Sequence, residues 1–160
     1  GACGFWNDPS VMEHLAKKYS VVAVGIYQNR YKRPSNVRWI SHQPWERMPE
    51  FYHNVNVGII PTNETKTATH AVPLKAWEYL ACGKPVVATW NEELERSLGD
   101  LVTLVPIAKT NNDRRQWIKA VRTELMHDTE EKQELRIARM QEETWDKRFH
   151  EFEALIEGCL

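Results

Sequence analysis

The run from Pro73 to Thr89, PLKAWEYLACGKPVVAT, constrains the fold more than any other stretch of the chain. Pro73 suits the first position of a helix, where its missing N–H costs nothing. Leu74, Trp77, Leu80 and Ala81 recur at helical spacing and give that helix one apolar face. Gly83 supplies a left-handed stop, and Pro85 forbids continuation. Val86, Val87 and Ala88 then form an uninterrupted apolar run, as expected of a parallel strand covered on both faces. A helix feeding directly into a buried strand is the building unit of an α/β sheet.

The rest of the chain repeats the alternation. Asp8 and Pro9 read as N-cap and first residue of a helix that buries Val11, Met12, Leu15 and Ala16. Ser20 to Tyr27 is a β-branched apolar run and predicts a central strand, Val37 to Ile40 a short one. Pro44 to Asn54 predicts a short helix carrying Trp45, Met48, Phe51 and Tyr52, and Val55 to Ile60 a strand ended by Pro61. Thr62 to His70 is a polar loop. Residues 92–98 predict a helix, and Leu101 to Val105 the last strand. Trp117, Val121 and Leu125 mark one further helix, and Leu135, Ile137 and Met140 a less regular one. Thr144 caps a final helix expected to bury Trp145, Phe149, Phe152 and Ile156, with partial exposure of Trp145 or Phe149 in this chain as the alternative. The fold class is α/β, a Rossmann-like parallel sheet with helices on both faces. Ligands of such sheets bind beyond the carboxyl ends of the strands. Ser41, Pro61, Thr89 and the start of the Lys75 helix all fall at that edge.

At 160 residues the chain is one domain. Its net charge of -1 leaves no global field to attract nucleic acid or an anionic membrane. The local stretch Arg30, Lys32, Arg33 and Arg38 reads as a solvated loop, with phosphate or lipid-headgroup contact as the alternative. Cys3, Cys82 and Cys159 are odd in number and lack metal-type spacing, so a reducing compartment is the default. Cys82 is expected to be a small buried hydrophobe. No apolar run approaches the roughly 18 residues that span a bilayer. The chain has no D-x-D sequence and no His/Cys/Asp cluster, so no metal and no cofactor are expected.

Lys75 is out of place. In the first turn of a helix a cation opposes the macrodipole by roughly 0.3–1 kcal/mol unless an anion joins it. Free amides and an ammonium aimed at one point suit a phosphate. Glu78 lies three residues on, on the same face, where its carboxylate suits a sugar diol. Two readings stand: an anion and diol site, or a solvated Lys–Glu pair.

This segment resembles the donor-binding helix of group 1 glycosyltransferases of the GT-B fold, in the sub-group with P-x-K-x-x-E-Y-L-A-x-G-K-P. GACGFWND (1–8), VVAVG (21–25), NVRWIS (36–41) and MPEFYHNVNVGIIP (48–61) follow the family's order, and TWDKRF (144–149) resembles its closing W-x-x-R segment. The resemblance implies that the chain is the nucleotide-sugar-binding C-terminal half of a two-domain enzyme. The acceptor-binding N-terminal domain would lie outside residues 1–160, with the first strand trimmed or displaced. The parent would transfer a sugar from a UDP- or GDP-linked donor to a hydroxyl, with retention and without metal, in bacterial cell-surface polysaccharide synthesis. It would be cytoplasmic, with peripheral association at the inner face of the plasma membrane left open for the full-length enzyme. The isolated chain is expected to be inactive.

Residue by residue, the resemblance gives Lys75 and the amides of Val72 and Leu74 to the diphosphate, and Glu78 to the ribose. His70 stands where the family's E-x7-E motif has its first glutamate, so this chain departs from that pattern. Thr69, His70 and Ala71 form the implied donor-sugar loop, and Ser41 and His42 the implied base contact. Trp39 suits either base stacking or the core. Glu92, Glu93 and Glu95 suit either a sugar contact or a solvated helix face. The rival readings are a sugar-nucleotide epimerase of the same architecture and a non-catalytic doubly wound module such as a receiver. The strand ends Tyr27, Ser41, Pro61 and Thr89 lack the aspartate a receiver needs.

Overall fold

A computed structural model describes residues 7–27, 32–64 and 73–158. The chain enters through helix α1 (Pro9–Leu15), whose N-cap Asp8 accepts from the Ser10 amide at 2.8 Å. Val11, Met12 and Leu15 are buried as the spacing predicts. Strand β1 (Val22–Val24) pairs in parallel with β2 (Arg38–Ile40), Val22 lying opposite Arg38. A 3-10 turn (Trp45–Arg47) leads into α2 (Met48–His53), then β3 (Gly58–Ile60), α3 (Lys75–Ala81) and β4 (Val86–Thr89). Helix α4 (Glu92–Leu98), β5 (Val102–Val105), α5 (Asn111–His127), α6 (Glu130–Gln141) and α7 (Trp145–Glu157) complete the chain. β3, β4 and β5 form a parallel sheet in that order, with Gly58 opposite Val86 and Val86 opposite Val102.

Helices cover both faces, and β4 shows why. Successive strand residues point to opposite sides. Val87 joins Val11, Leu15, Ala23, Val37, Val105 and Trp117 in a core shared with α1 and α5. Val86 and Ala88 join Ala76, Leu80, Leu94, Leu98 and Met140 in a second core under α3, α4 and α6. The first of these clusters takes residues from β1 as well as β4 and β5, so it packs the two-stranded and three-stranded sheets together. The architecture is the Rossmann-like α/β arrangement expected.

Several boundaries differ from the sequence reading. The strand expected over Ser20 to Tyr27 is three residues long, because β2 offers only three partners. Val22 and Ile26 are exposed rather than central. Among the described residues the strands group as two parallel sheets rather than one. Helix α3 begins at Lys75 with Leu74 as N-cap, so Pro73 precedes the cap, and its carbonyl accepts from the Ala76 amide at 2.9 Å. The apolar face of α3 is Ala76 and Leu80, with Trp77 half-buried, while Leu74 and Ala81 are exposed. Gly83 does end that region with a positive φ of 72°, and the Lys84 amide closes the turn on the Tyr79 carbonyl at 2.9 Å.

The C-terminal helices bury less than their apolar spacing suggests. Leu125 and Leu135 are exposed, and α6 buries Arg136 and Met140 instead. Thr144 caps α7 by accepting from the Lys147 amide. The face of α7 is not buried: Trp145 is 79% exposed, and Phe149, Phe152, Leu155 and Ile156 are exposed with it. Cys82 is half-buried at the end of α3, and burial pushes its thiol up from the ordinary value.

Candidate functional site

The carboxyl end of β3 opens onto a groove of about 360 Å³ between the 3-10 turn with α2 on one side and α3 on the other. Trp45, Met48 and Tyr52 line it from the first side, Pro73, Leu74, Lys75 and Glu78 from the second. Asn7, Ile60 and Thr62 complete the lining. A neighbouring cavity of about 280 Å³ shares Asn7, Met48, Tyr52 and Lys75 and reaches β1.

The strand ends behind this groove are tied together. The Asp8 amide donates to the Pro61 carbonyl at 2.8 Å. The Thr62 amide donates to Thr89 Oγ1 at 2.8 Å, and that hydroxyl donates to the Thr62 carbonyl at 3.0 Å. Thr89 is buried, so this double bond satisfies its hydroxyl and fixes the ends of β3 and β4 in register.

Lys75 and Glu78 both face the groove, and both are half-buried. Among the described residues no ion pair joins them. Glu78 is instead held by Tyr52, whose phenol donates to Oε2 at 2.6 Å. Burial first, and then that hydrogen bond, hold the Tyr52 hydroxyl well above its ordinary value, so it remains a donor. The Tyr52 ring meets Tyr79 edge-on at 4.8 Å between centroids. Tyr79 in turn packs over Gly58, where a built Cβ would lie 2.5 Å from the ring. Glycine at that strand position is what admits the aromatic pair.

Chemically, the groove offers one ammonium, one carboxylate fixed through a single oxygen, and an exposed indole. Trp45 is 75% exposed at its edge. The reading by sequence named Lys75, Leu74 and Glu78, and the structure brings these three together. It did not single out Tyr52 or Trp45 as site residues. The signal was present, since residues 45, 48 and 52 recur at helical spacing and therefore share a face.

Other expected site residues lie elsewhere. Ser41 and His42 are exposed on the loop before the 3-10 turn and do not line the groove. Thr69, His70, Ala71 and Val72 lie outside the described residues. Trp39 is half-buried against the first core, donates its indole N–H to the Pro34 carbonyl at 3.0 Å and carries the Arg33 guanidinium over its ring at 4.8 Å. That is a structural role. Glu92, Glu93 and Glu95 form the first turn of α4, capped by Asn91, with Trp90 donating to Glu95 at 3.0 Å and Arg96 paired to Glu93. They are a solvated helix face stabilised by its dipole.

Among the described residues, no group of three or more His, Cys, Asp or Glu side chains could hold a metal ion. No described helix is long and apolar enough to cross a membrane.

The sequence model of a family described as "Glycosyl transferases group 1" matches residues 9–127. A protein of Bacillus subtilis (strain 168), named as a teichuronic acid biosynthesis glycosyltransferase, TuaH, is 35% identical over 57 residues. Those residues make up 36% of this chain and 14% of that protein, so the match spans a small part of the relative's length. The family match runs from α1 to the end of α5 and takes in every strand and the whole described groove wall except Asn7. On that coverage, the chain belongs to the group 1 glycosyl transferases.

Proposed function

We propose that this chain is the donor-binding half of a glycosyltransferase that takes a sugar from a nucleoside diphosphate sugar and passes it to an acceptor hydroxyl. The observation that carries the reading is the disposition of Lys75 and Glu78. They share one groove at the carboxyl edge of the sheet, are not paired with each other, and Glu78 is fixed by Tyr52. An ammonium with no ion-pair partner among the described residues, beside an oriented carboxylate, suits a ligand carrying both phosphate and a vicinal diol.

In this reading Lys75 and the amides of Val72 and Leu74 hold the diphosphate, and Glu78 accepts from the ribose hydroxyls. Thr69, His70 and Ala71 approach the sugar. The base lies toward the loop of Ser41 and His42, with the Trp45 indole as its stacking face. Stacking of a base on an exposed aromatic ring is worth about 1–3 kcal/mol. Negative charge growing on the departing diphosphate meets the Lys75 ammonium, which supplies positive charge without a metal. The acceptor and the remaining catalytic groups belong to a second domain of the parent enzyme, so the 160-residue chain alone is expected to transfer no sugar. The relative's name supports a cell-surface polysaccharide as the product.

Calorimetric titration with UDP and GDP tests the site, comparing the unaltered chain with Lys75→Ala and Glu78→Ala. Each substitution removes a charge-assisted contact and should cost about 1.5–3 kcal/mol of binding. Equal affinity in all three proteins sinks the reading.

A further inference from the structure

Opposite the groove, on the α1 and α5 side of the sheet, lies a polar cavity of about 410 Å³. Asn7 and Thr62 form an isolated antiparallel bridge and line the groove, while the next residues, Asp8 and Asn63, line this cavity. The two spaces therefore adjoin across that bridge. Arg114, in the first turn of α5, lines the cavity from the far side, and the exposed Lys32 and Glu13 complete its charged lining. The volume is that of an ordinary small-molecule site. The carboxyl edge of a parallel α/β sheet is where such sites form.

Two helices fix the Arg114 guanidinium in place. Its Nε donates to Ser10 Oγ at 3.0 Å, across 104 residues of sequence, and its Nη1 donates to Asn111 Oδ1 at 3.1 Å. Ser10 in turn donates its hydroxyl to Asp8 Oδ1 at 2.6 Å. That hydroxyl stands between the guanidinium and the nearest carboxylate. Among the described residues Arg114, Lys32, Asp8 and Glu13 take part in no ion pair, although all four line one cavity. Opposite charges gathered in one place and kept from pairing retain their binding capacity for a third party. A guanidinium held in this way is suited to a carboxylate or phosphate, and the carboxylates accept from hydroxyls.

We propose that this cavity binds a sugar bearing one acidic group, with Arg114 and Lys32 on the acid and Asp8 and Glu13 on the hydroxyls. The mixed lining excludes simpler ligands. Inorganic phosphate would be repelled by the two carboxylates, a neutral sugar would leave the fixed guanidinium without a partner, and an apolar ligand would strand all four charges. Under the glycosyl-transfer reading this sugar is the acceptor, seated beside the donor groove. Its role rests on that reading, whereas its binding does not, because no residue of the cavity lines the groove.

The test is titration of the 160-residue chain with glucuronate, glucose-6-phosphate, glucose and inorganic phosphate, followed by backbone amide shifts in NMR spectra. Saturable shifts are expected at Ser10, Asn63 and Arg114, with an acidic sugar bound roughly tenfold or more tighter than glucose. The tighter of the two acidic sugars identifies the acid as carboxylate or phosphate ester. Lys32→Gln with Arg114→Gln should erase the preference over glucose. Should that pair unfold the chain, Lys32→Gln alone, on an exposed segment, should reduce it. Ser10→Ala releases the guanidinium and should weaken acidic sugars more than glucose. UDP added to the same samples separates the two sites: its affinity should be unchanged in the doubly substituted chain. Failure of UDP to bind the unaltered chain counts against the donor reading and leaves this site standing. The proposal is overturned by absent saturation, by equal affinity for glucose and both acidic sugars, or by a preference that survives the substitutions. Inorganic phosphate binding as tightly as the acidic sugars, or a matching loss of UDP affinity, overturns it too.

Discussion

The phenol of Tyr52 donates to Glu78 Oε2 at 2.6 Å across 26 residues of sequence, joining α2 to α3. One carboxylate oxygen is thereby committed and the other is left to the groove. Tyr52→Phe keeps the ring and removes only the donor. We expect nucleotide affinity to fall by about 1.5–3 kcal/mol at most, the range for hydrogen bonds to charged groups. The loss should be larger for UDP than for its 2′,3′-dideoxy analogue, and absent for pyrophosphate. Calorimetry with the three ligands checks it, and a uniform loss contradicts a role acting through Glu78.

The same phenol sets an alkaline signature. Its folded-state value is raised above the ordinary 10.0 by burial and by Glu78. The stability this represents is complete below pH 10.0 and is lost as pH rises beyond it, because only the unfolded chain then releases the proton. Urea midpoints measured from pH 8 upward should therefore decline less steeply in Tyr52→Phe than in the unaltered chain.

Gly58 controls the aromatic pair from beneath. A Cβ there would sit 2.5 Å from the Tyr79 ring, so Gly58→Ala must displace Tyr79 and with it Tyr52. Overpacking of this kind costs about 1–3 kcal/mol. Thermal unfolding should show that loss, and nucleotide binding should weaken although residue 58 does not line the groove.

Arg136 is a buried cation with two fixed partners. Its Nε donates to the Gly83 carbonyl at 2.9 Å, and its guanidinium pairs with the largely buried Asp128. Arg136→Ala leaves that carboxylate without its counter-ion and should cost about 3–5 kcal/mol. Arg136→Lys should recover little of it, since one ammonium cannot reproduce the fork that reaches both groups. Chemical denaturation of both variants checks the pair.

Trp117 is fully buried at 0% exposure in the core that joins α5 to both sheets. Trp117→Ala should cost about 3–5 kcal/mol through the cavity it leaves. Among the described residues its indole N–H has no hydrogen-bond partner. Trp117→Phe removes that N–H while keeping most of the apolar volume, so it should cost distinctly less in the same unfolding assay.

What could be read from residue order alone follows the range of the interactions involved. The Asp8 cap, the Gly83 stop, the Thr144 cap and the buried run Val86 to Ala88 depend on neighbours within a few positions, and all four stand in the structure. The length of β1 depends on β2, and the exposure of Leu125, Leu135 and the α7 face depends on what packs against them; apolar spacing reports a face but not its partner. At the groove, Lys75 and Glu78 announced themselves through local chemistry. The Tyr52 link to Glu78 and the Gly58 contact with Tyr79 span 26 and 21 positions and carry no local mark. Arg136 was missed for the same reason, because a lone arginine in a charged helix reads as surface until its partners 8 and 53 residues away are known.

β4 serves as the common wall of two rooms. Its Val87 is furniture of one and its Val86 and Ala88 of the other, so neither helical layer can melt away while the strand keeps its lining. Fluorescent or exchange reporters placed on opposite faces should consequently register a single joint transition, and the molecule should fail as one piece.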